Sequence, residues 1–193
     1  YPGQISKFFF DKTAEFLNRS EVLCFDECSI LPLSSEQKQD GLGLLENGDL
    51  KEREKIVVVH PGSGSMEKCW PLHNFIKIII QLSQKGIRGV LVTGMAEERM
   101  ENIIEEARLP EDWTWLRNPP LLRLAGLLQS ADLYFGNDSG VTHLAAACGT
   151  KVVALFRDDL VDKWKPYGRV SALSGESISE IKFDTVWEAV TQA

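Results

Sequence analysis

Two short stretches carry the residue types that hold anions. The first is Pro61-Gly62-Ser63-Gly64-Ser65, followed by Lys68; the second is Gly136-Asn137-Asp138-Ser139-Gly140, followed by His143. Glycine lets the backbone turn sharply and approach a ligand with no Cβ in the way. Serine adds hydroxyls, and Lys68 is close enough in sequence for its ammonium to fold back over the first loop. Each stretch leaves an apolar run and enters a helix-forming one. That geometry turns backbone N–H groups at a helix start toward a ligand and suits phosphate. Ser63, Gly64, Ser65, Lys68, Ser139 and Gly140 are therefore candidate phosphate contacts. Asp138 is a candidate for a sugar hydroxyl or for capping the helix that opens near Gly140. His143 offers a structural hydrogen bond to a neighbouring loop, or a phosphate contact that protonation would strengthen. Glu97 and Glu98 follow Gly94 at the end of another apolar run. A carboxylate there can accept from ribose hydroxyls, Glu98 ahead of Glu97, or simply pair with the helix dipole.

The elements that must position these residues alternate. Strands are predicted at Ile56–Val59, Gly89–Thr93, Trp113–Leu116, Leu133–Phe135, Val152–Phe156 and Val170–Leu173. Helices are predicted at Leu72–Gln84, with Phe75, Ile76, Ile79 and Ile80 on one face, and at Ala96–Arg108, Leu121–Gln129, Gly140–Cys148 and Phe183–Thr191. Strand–helix alternation over short loops predicts an α/β fold, a Rossmann-like doubly wound parallel sheet. Both glycine loops follow strands directly, so they fall on one edge of that sheet, where ligands of such folds bind. Neither loop has the GxGxxG spacing or the Walker lysine. Upstream, a helix at Ile5–Leu17, a short strand at Val22–Phe25 and a helix at Glu36–Leu45 opened by Ser34 are predicted. The polar run Asp49–Glu54 marks a boundary, dividing residues 1–50 from 51–193.

Composition narrows the function classes. The 193 residues carry a formal charge of −7, which argues against a nucleic-acid surface but leaves room for a small anion held by local donors. No apolar run approaches the length of a membrane span. The four cysteines form no CxxC pair and no metal set, and read as reduced thiols. Trp113, Trp115 and Trp187 read as core or core-margin residues, and the acidic runs Glu97–Glu106 and Asp158–Asp162 as solvated faces. The opening Tyr1-Pro2-Gly3 lacks an initiator Met, so the chain is expected to be a piece of a longer protein.

Taken in order, His60-Pro61-Gly62-Ser63-Gly64-Ser65, Lys68-Cys69-Trp70-Pro71, Leu121–Leu133, Gly136–Ala147 and Trp164-Lys165-Pro166-Tyr167-Gly168 resemble glycosyltransferase family 9, the ADP-heptose:lipopolysaccharide heptosyltransferases. The resemblance runs from about Lys55 to the end and covers the C-terminal, nucleotide-sugar-binding half of a GT-B enzyme. It implies an inverting, metal-independent transferase. No cofactor is implied; the ADP-sugar is the donor substrate and the lipopolysaccharide core the acceptor. Lys68 and the Ser63–Ser65 loop would hold the diphosphate, Glu98 the ribose, and Asp138, Ser139 and Gly140 would close around phosphates and sugar. Residues 1–50 would be the tail of the acceptor domain, whose catalytic carboxylate lies in a missing part. A cytoplasmic location, with peripheral contact to the inner membrane, follows from the same resemblance. Two departures stand out: Ser139 where the family usually has Thr, and Arg157-Asp158-Asp159-Leu160 where it commonly has Gly. Two other readings compete: a non-catalytic nucleotide-binding or assembly module that keeps the fold, and half of a sugar-nucleotide epimerase.

Overall fold

Strands buried on both faces need near-continuous apolar sequence, and Ile56-Val57-Val58-Val59 and Val152-Val153-Ala154-Leu155-Phe156 supply it. The computed structural model describes residues 31–45 and 55–193. Its strands are β1 (Ile56–His60), β2 (Arg88–Thr93), β3 (Trp113–Arg117), β4 (Leu133–Asn137), β5 (Lys151–Arg157) and β6 (Val170–Gly175). They form one parallel sheet in the order β3-β2-β1-β4-β5-β6. The helices are α1 (Ser35–Leu42), α2 (Leu72–Gln84), α3 (Glu101–Ala107), α4 (Leu121–Ser130), α5 (Gly140–Ala147), α6 (Asp158–Trp164) and α7 (Phe183–Gln192).

Alternation along each strand divides the core in two. Val57, Val59, Leu91, Phe135, Val153 and Leu155 pack with α2, α3 and α7. Val58, Val90, Val92, Tyr134, Val152 and Phe156 face the opposite way, toward α4 and α5. The doubly wound parallel sheet expected from the sequence is thus present. Its order reverses between β1 and β4: the chain builds outward from β1 to β3, then returns to lay β4 on the other side of β1. The crevice beyond the carboxyl ends of β1 and β4 is the switch point where such sheets take ligands. The two strands finish in register there, His60 opposite Gly136.

The segment grouped by sequence with the acceptor half packs on this domain. Leu31 and Leu33 belong to the α4–α5 core. Leu31 N–H donates to Ala147 O at 2.6 Å, and the Gln129 amide donates to Leu31 O at 3.0 Å. Helix α1 opens as the sequence suggests, with Ser34 and Gln37 forming a reciprocal capping box. It closes at Gly43, short of the expected Leu45. Its contact with α4 is glycine on glycine: a Cβ on Gly41 would stand 2.3 Å from Leu127 N, and one on Gly126 2.3 Å from Gln37 O. The expectations for Ile5–Leu17, Val22–Phe25 and the Asp49–Glu54 boundary lie outside the described residues, as do Cys24 and Cys28.

Two further expectations are corrected. In α2, Ile78 is buried and Ile80 exposed, because the apolar stripe continues to Leu82 rather than wrapping to Ile80. The helix expected over Ala96–Arg108 is a 3₁₀ stretch, Met95–Met100, before α3; the Glu97 carboxylate reaches back to Gly94 N–H at 2.7 Å and tightens the turn. The acidic run Asp158–Asp162 is a solvated face as expected, with Asp158, Asp159 and Asp162 exposed; it forms most of α6, with Asp158 and Asp159 in the first turn, where the helix dipole favours them.

Gly126→Ala forces a methyl into the α1 backbone. We expect a loss on the order of 1–3 kcal/mol, read as a lower urea midpoint at unchanged m value.

Candidate functional site

The two glycine loops are sewn together at the switch point. Asn137, fully buried at the end of β4, donates its amide to Pro61 O at 2.7 Å and accepts Trp70 N–H at 3.1 Å. One side chain therefore fixes both ends of the first loop. Ser63 Oγ donates to Asp138 O at 2.7 Å, and Lys68 Nζ meets Asp138 Oδ2 at 3.0 Å. The expected convergence of the loops is met.

The glycines divide into two kinds. At Gly62 a Cβ would lie 2.0 Å from Glu97 Oε1, and at Gly136 it would lie 2.4 Å from the Tyr134 hydroxyl and 2.8 Å from His60 O. These positions are glycine because protein fills the space. At Gly64 and Gly140 a Cβ would meet nothing within 4 Å. There the backbone is open to a ligand.

Ser139 caps α5, accepting Thr142 N–H on Oγ at 3.3 Å; this corrects the capping role considered for Asp138, whose carboxylate is turned to Lys68. Thr142 Oγ1 donates to Asn137 O and contacts the Tyr134 hydroxyl at 3.0 Å and Ser139 Oγ at 3.1 Å. Burial pushes the Tyr134 phenol well up, so it stays protonated. Thr142 and His143 N–H groups are taken by Ser139. Those of Gly140 and Val141 have no hydrogen-bond partner among the described residues, which is the open helix start that suits phosphate.

A cleft of about 400 Å³ opens at this point. Its lining includes Ser63, Gly64, Ser139 and Gly140 on the loop side, His60 and Glu97 on the floor, and Asn118, Pro119, Leu121, Leu124 and Val141 as a mostly apolar wall, with Met95, 78% exposed, at the rim. Of the residues nominated from sequence, Ser63, Gly64, Ser139 and Gly140 line this cleft. Ser63 spends its proton on Asp138, so its hydroxyl is a stitch rather than a free donor. Lys68 and Asp138 sit paired beside the cleft, 32% and 7% exposed, with Lys68 Nζ 5.9 Å from the Trp164 ring centre. Ser65 is exposed and its carbonyl accepts the Cys69 thiol at 3.3 Å. Glu98 is exposed and outside the lining; Glu97, 3% exposed, takes the inner position, because the 3₁₀ turn points it at Gly62. The proximity of Glu97 to Gly62 has no local sequence signal. The apolar wall has one in hindsight, a Pro-Pro-Leu-Leu run directly after a strand.

His60 and His143 are both held below the usual imidazole value of 6.5. Burial dominates in each; the Val92 hydrogen bond and Glu97 partly oppose it at His60, and Asp138 does so at His143. In the ligand-free protein burial thus disfavours the charged form of His143.

A doubly wound parallel sheet with an open helix start and a cleft at its switch point defines the class, an α/β domain built to take a ligand at that crevice. The chain belongs to glycosyltransferase family 9 (heptosyltransferase), whose pattern matches residues 25–184. It is 32% identical over 124 residues to lipopolysaccharide heptosyltransferase 3 of Escherichia coli (strain K12), covering 60% of this chain and 34% of that protein. The chain therefore spans about a third of that curated relative. Its fold matches the E. coli ADP-heptose LPS heptosyltransferase II with a TM-score of 0.72, at 22% identity over 84% of this chain and 52% of that one. It also matches E. coli heptosyltransferase WaaC with ADP at 0.64, with 21% identity over 79% and 48%.

Two outcomes test this geometry. Asn137→Ala leaves Trp70 N–H and Pro61 O buried without partners; we expect a loss of roughly 2–4 kcal/mol in urea unfolding. In acid, unfolded histidines near 6.5 bind protons that buried His60 and His143 refuse. Their contribution to stability is full above about 6.5 and lost as pH falls toward their lowered folded values. We expect the urea midpoint to fall between pH 7 and 5, less steeply in His143→Gln; an equal slope in that variant contradicts the burial argument.

Proposed function

We propose that this chain is the donor-binding half of a glycosyltransferase, holding the nucleotide diphosphate of ADP-heptose for transfer to a lipopolysaccharide-type acceptor. The observation that carries the proposal is the pair of open glycines, Gly64 and Gly140, beside the unpartnered N–H groups of Gly140 and Val141. The names of the relatives supply the sugar and the acceptor class. In this reading the diphosphate lies against the start of α5, the ribose meets Glu97 rather than Glu98, and the base rests on the Pro119–Leu121 wall.

The chemistry is the departure of a nucleoside diphosphate. Negative charge builds on the phosphate oxygens as the bond to the sugar anomeric carbon breaks. Preorganised N–H groups and a cation lower that barrier; the α5 start provides the first and Lys68 the second. The acceptor hydroxyl attacks from the opposite face of the sugar, inverting the anomeric carbon. We assign the acceptor and the base that takes its proton to the further length that the relatives carry beyond the matched region. Among the described residues no helix is long and apolar enough to cross a membrane. Peripheral contact with the inner membrane from the cytoplasmic side completes the proposal and rests on the lipid-linked acceptor named for the relatives.

Calorimetry with ADP, UDP, GDP and TDP tests the donor: ADP binds most tightly, and no heat with any of the four favours a fold-retaining assembly module instead. Lys68→Ala weakens ADP-heptose by about 1.5–3 kcal/mol through loss of a charge-assisted contact, weakens ADP by less, and leaves adenosine unaffected; equal ADP-heptose affinity removes Lys68 from the site. With ADP-heptose and lipid acceptor the 193-residue chain gives no turnover, and measurable transfer would refute the division of labour.

A further inference from the structure

We propose that His60 is a second acceptor for the ribose, beside Glu97, and makes the cleft selective for ribonucleotides over deoxyribonucleotides. The inference rests on the reading of the cleft as a nucleotide site. His60 Nδ1 lies 3.0 Å from Val92 O. A carbonyl can only accept, so Nδ1 carries the ring proton and Nε2 keeps its lone pair. No described residue gives Nε2 a hydrogen-bond partner, and it is not among the fully buried unpaired atoms. His60 also lines the cleft.

Glu97 presents the same demand beside it. Its Oε2 takes Gly94 N–H at 2.7 Å, while Oε1, pressed over Gly62, has no donor. No Lys or Arg stands among the residues lining the cleft. The floor therefore offers two acceptors, near enough for the Glu97 charge to act on His60, and no described residue donates to either free atom. A vicinal diol supplies two O–H donors and satisfies both. Removing one hydroxyl leaves a buried acceptor unpaired, which is how polar sites reject close analogues. A phosphate on the same ribose would face a carboxylate and a lone pair, and is rejected. Burial keeps His60 neutral against the pull of Glu97, so the lone pair is present at neutral pH.

The test is calorimetry of the full chain with ADP, 2′-deoxy-ADP and 3′-deoxy-ADP. We expect ADP to bind about tenfold or more tightly than both. In His60→Phe, which keeps a ring and loses the lone pair, ADP affinity falls to that of one deoxy form, whose own affinity does not change. A purely structural role would weaken all three together. Should this variant fail to fold, ¹⁵N spectra of wild-type imidazoles decide: the Nε2 signal of His60, assigned with His73→Asn and His143→Gln, moves with ADP and stays put with one of the two deoxy forms. Retained selectivity in His60→Phe, or an unmoved signal under saturating ADP, overturns the proposal while leaving the nucleotide site intact. Absence of any ADP binding removes the nucleotide reading itself.

Discussion

The structure of the site depends on one buried amide. Asn137 has no exposed surface, so its donor and acceptor must be satisfied inside the protein. They are satisfied by the two ends of a different loop, Pro61 O and Trp70 N. That obligation brings β1 and β4 loops into contact and holds the first loop taut between fixed points. Trp70 is anchored in turn: its indole N–H reaches Ile181 O at 2.9 Å, and its ring packs edge-on against Phe75 and Phe135. The loop is therefore rigid through its ends, while its exposed middle, Gly64 and Ser65, is left to meet a ligand.

Rigid ends allow the cleft to be electrostatically divided. On the loop side lie the unpartnered N–H groups at the α5 start, with Lys68 nearby. On the floor lie a carboxylate and a neutral imidazole. A phosphate fits the first and is repelled by the second; a diol fits the second and gains little from the first. In the proposed complex the two ends together orient the nucleotide, and the base adds shape rather than hydrogen bonds. This agrees with the weak polar character of the Pro119, Leu121 and Leu124 wall, which offers shape to a flat ring more than hydrogen bonds.

The fold was largely legible in the sequence because β-branched runs and glycine-terminated helices are local signals. The convergence of the two loops followed from topology alone, since both come directly after parallel strands. What could not be read is what depends on side chains meeting across the sheet edge. Asn137 looked like a loop polar residue, and its partners at positions 61 and 70 are remote in sequence. The sequence ranks Glu98 ahead of Glu97, whereas the 3₁₀ turn leaves Glu98 exposed and places Glu97 against Gly62 in the cleft lining. The short helix α6 was missed because seven residues headed by two aspartates carry too little apolar periodicity to register.

The departure at Arg157 bears on how the site is charged. Its guanidinium grips Asp159 with two contacts, at 3.0 and 2.9 Å, and stays outside the cleft lining. Both partners are substantially exposed, so the pair adds little stability, but it neutralises the added charge where the family commonly has Gly. Lys68 is left as the cation beside the β4 loop, and it is already paired with a nearly buried aspartate. Moving that ammonium onto a diphosphate strips Asp138 of its partner, which is costly for a carboxylate at 7% exposure. A sugar hydroxyl donating to Asp138 offsets the cost. In the proposed complex the two contacts are thus coupled: Lys68 is released to the diphosphate most readily by a ligand whose sugar replaces it at Asp138. A bare nucleoside diphosphate then gains less from Lys68 than the complete sugar donor does.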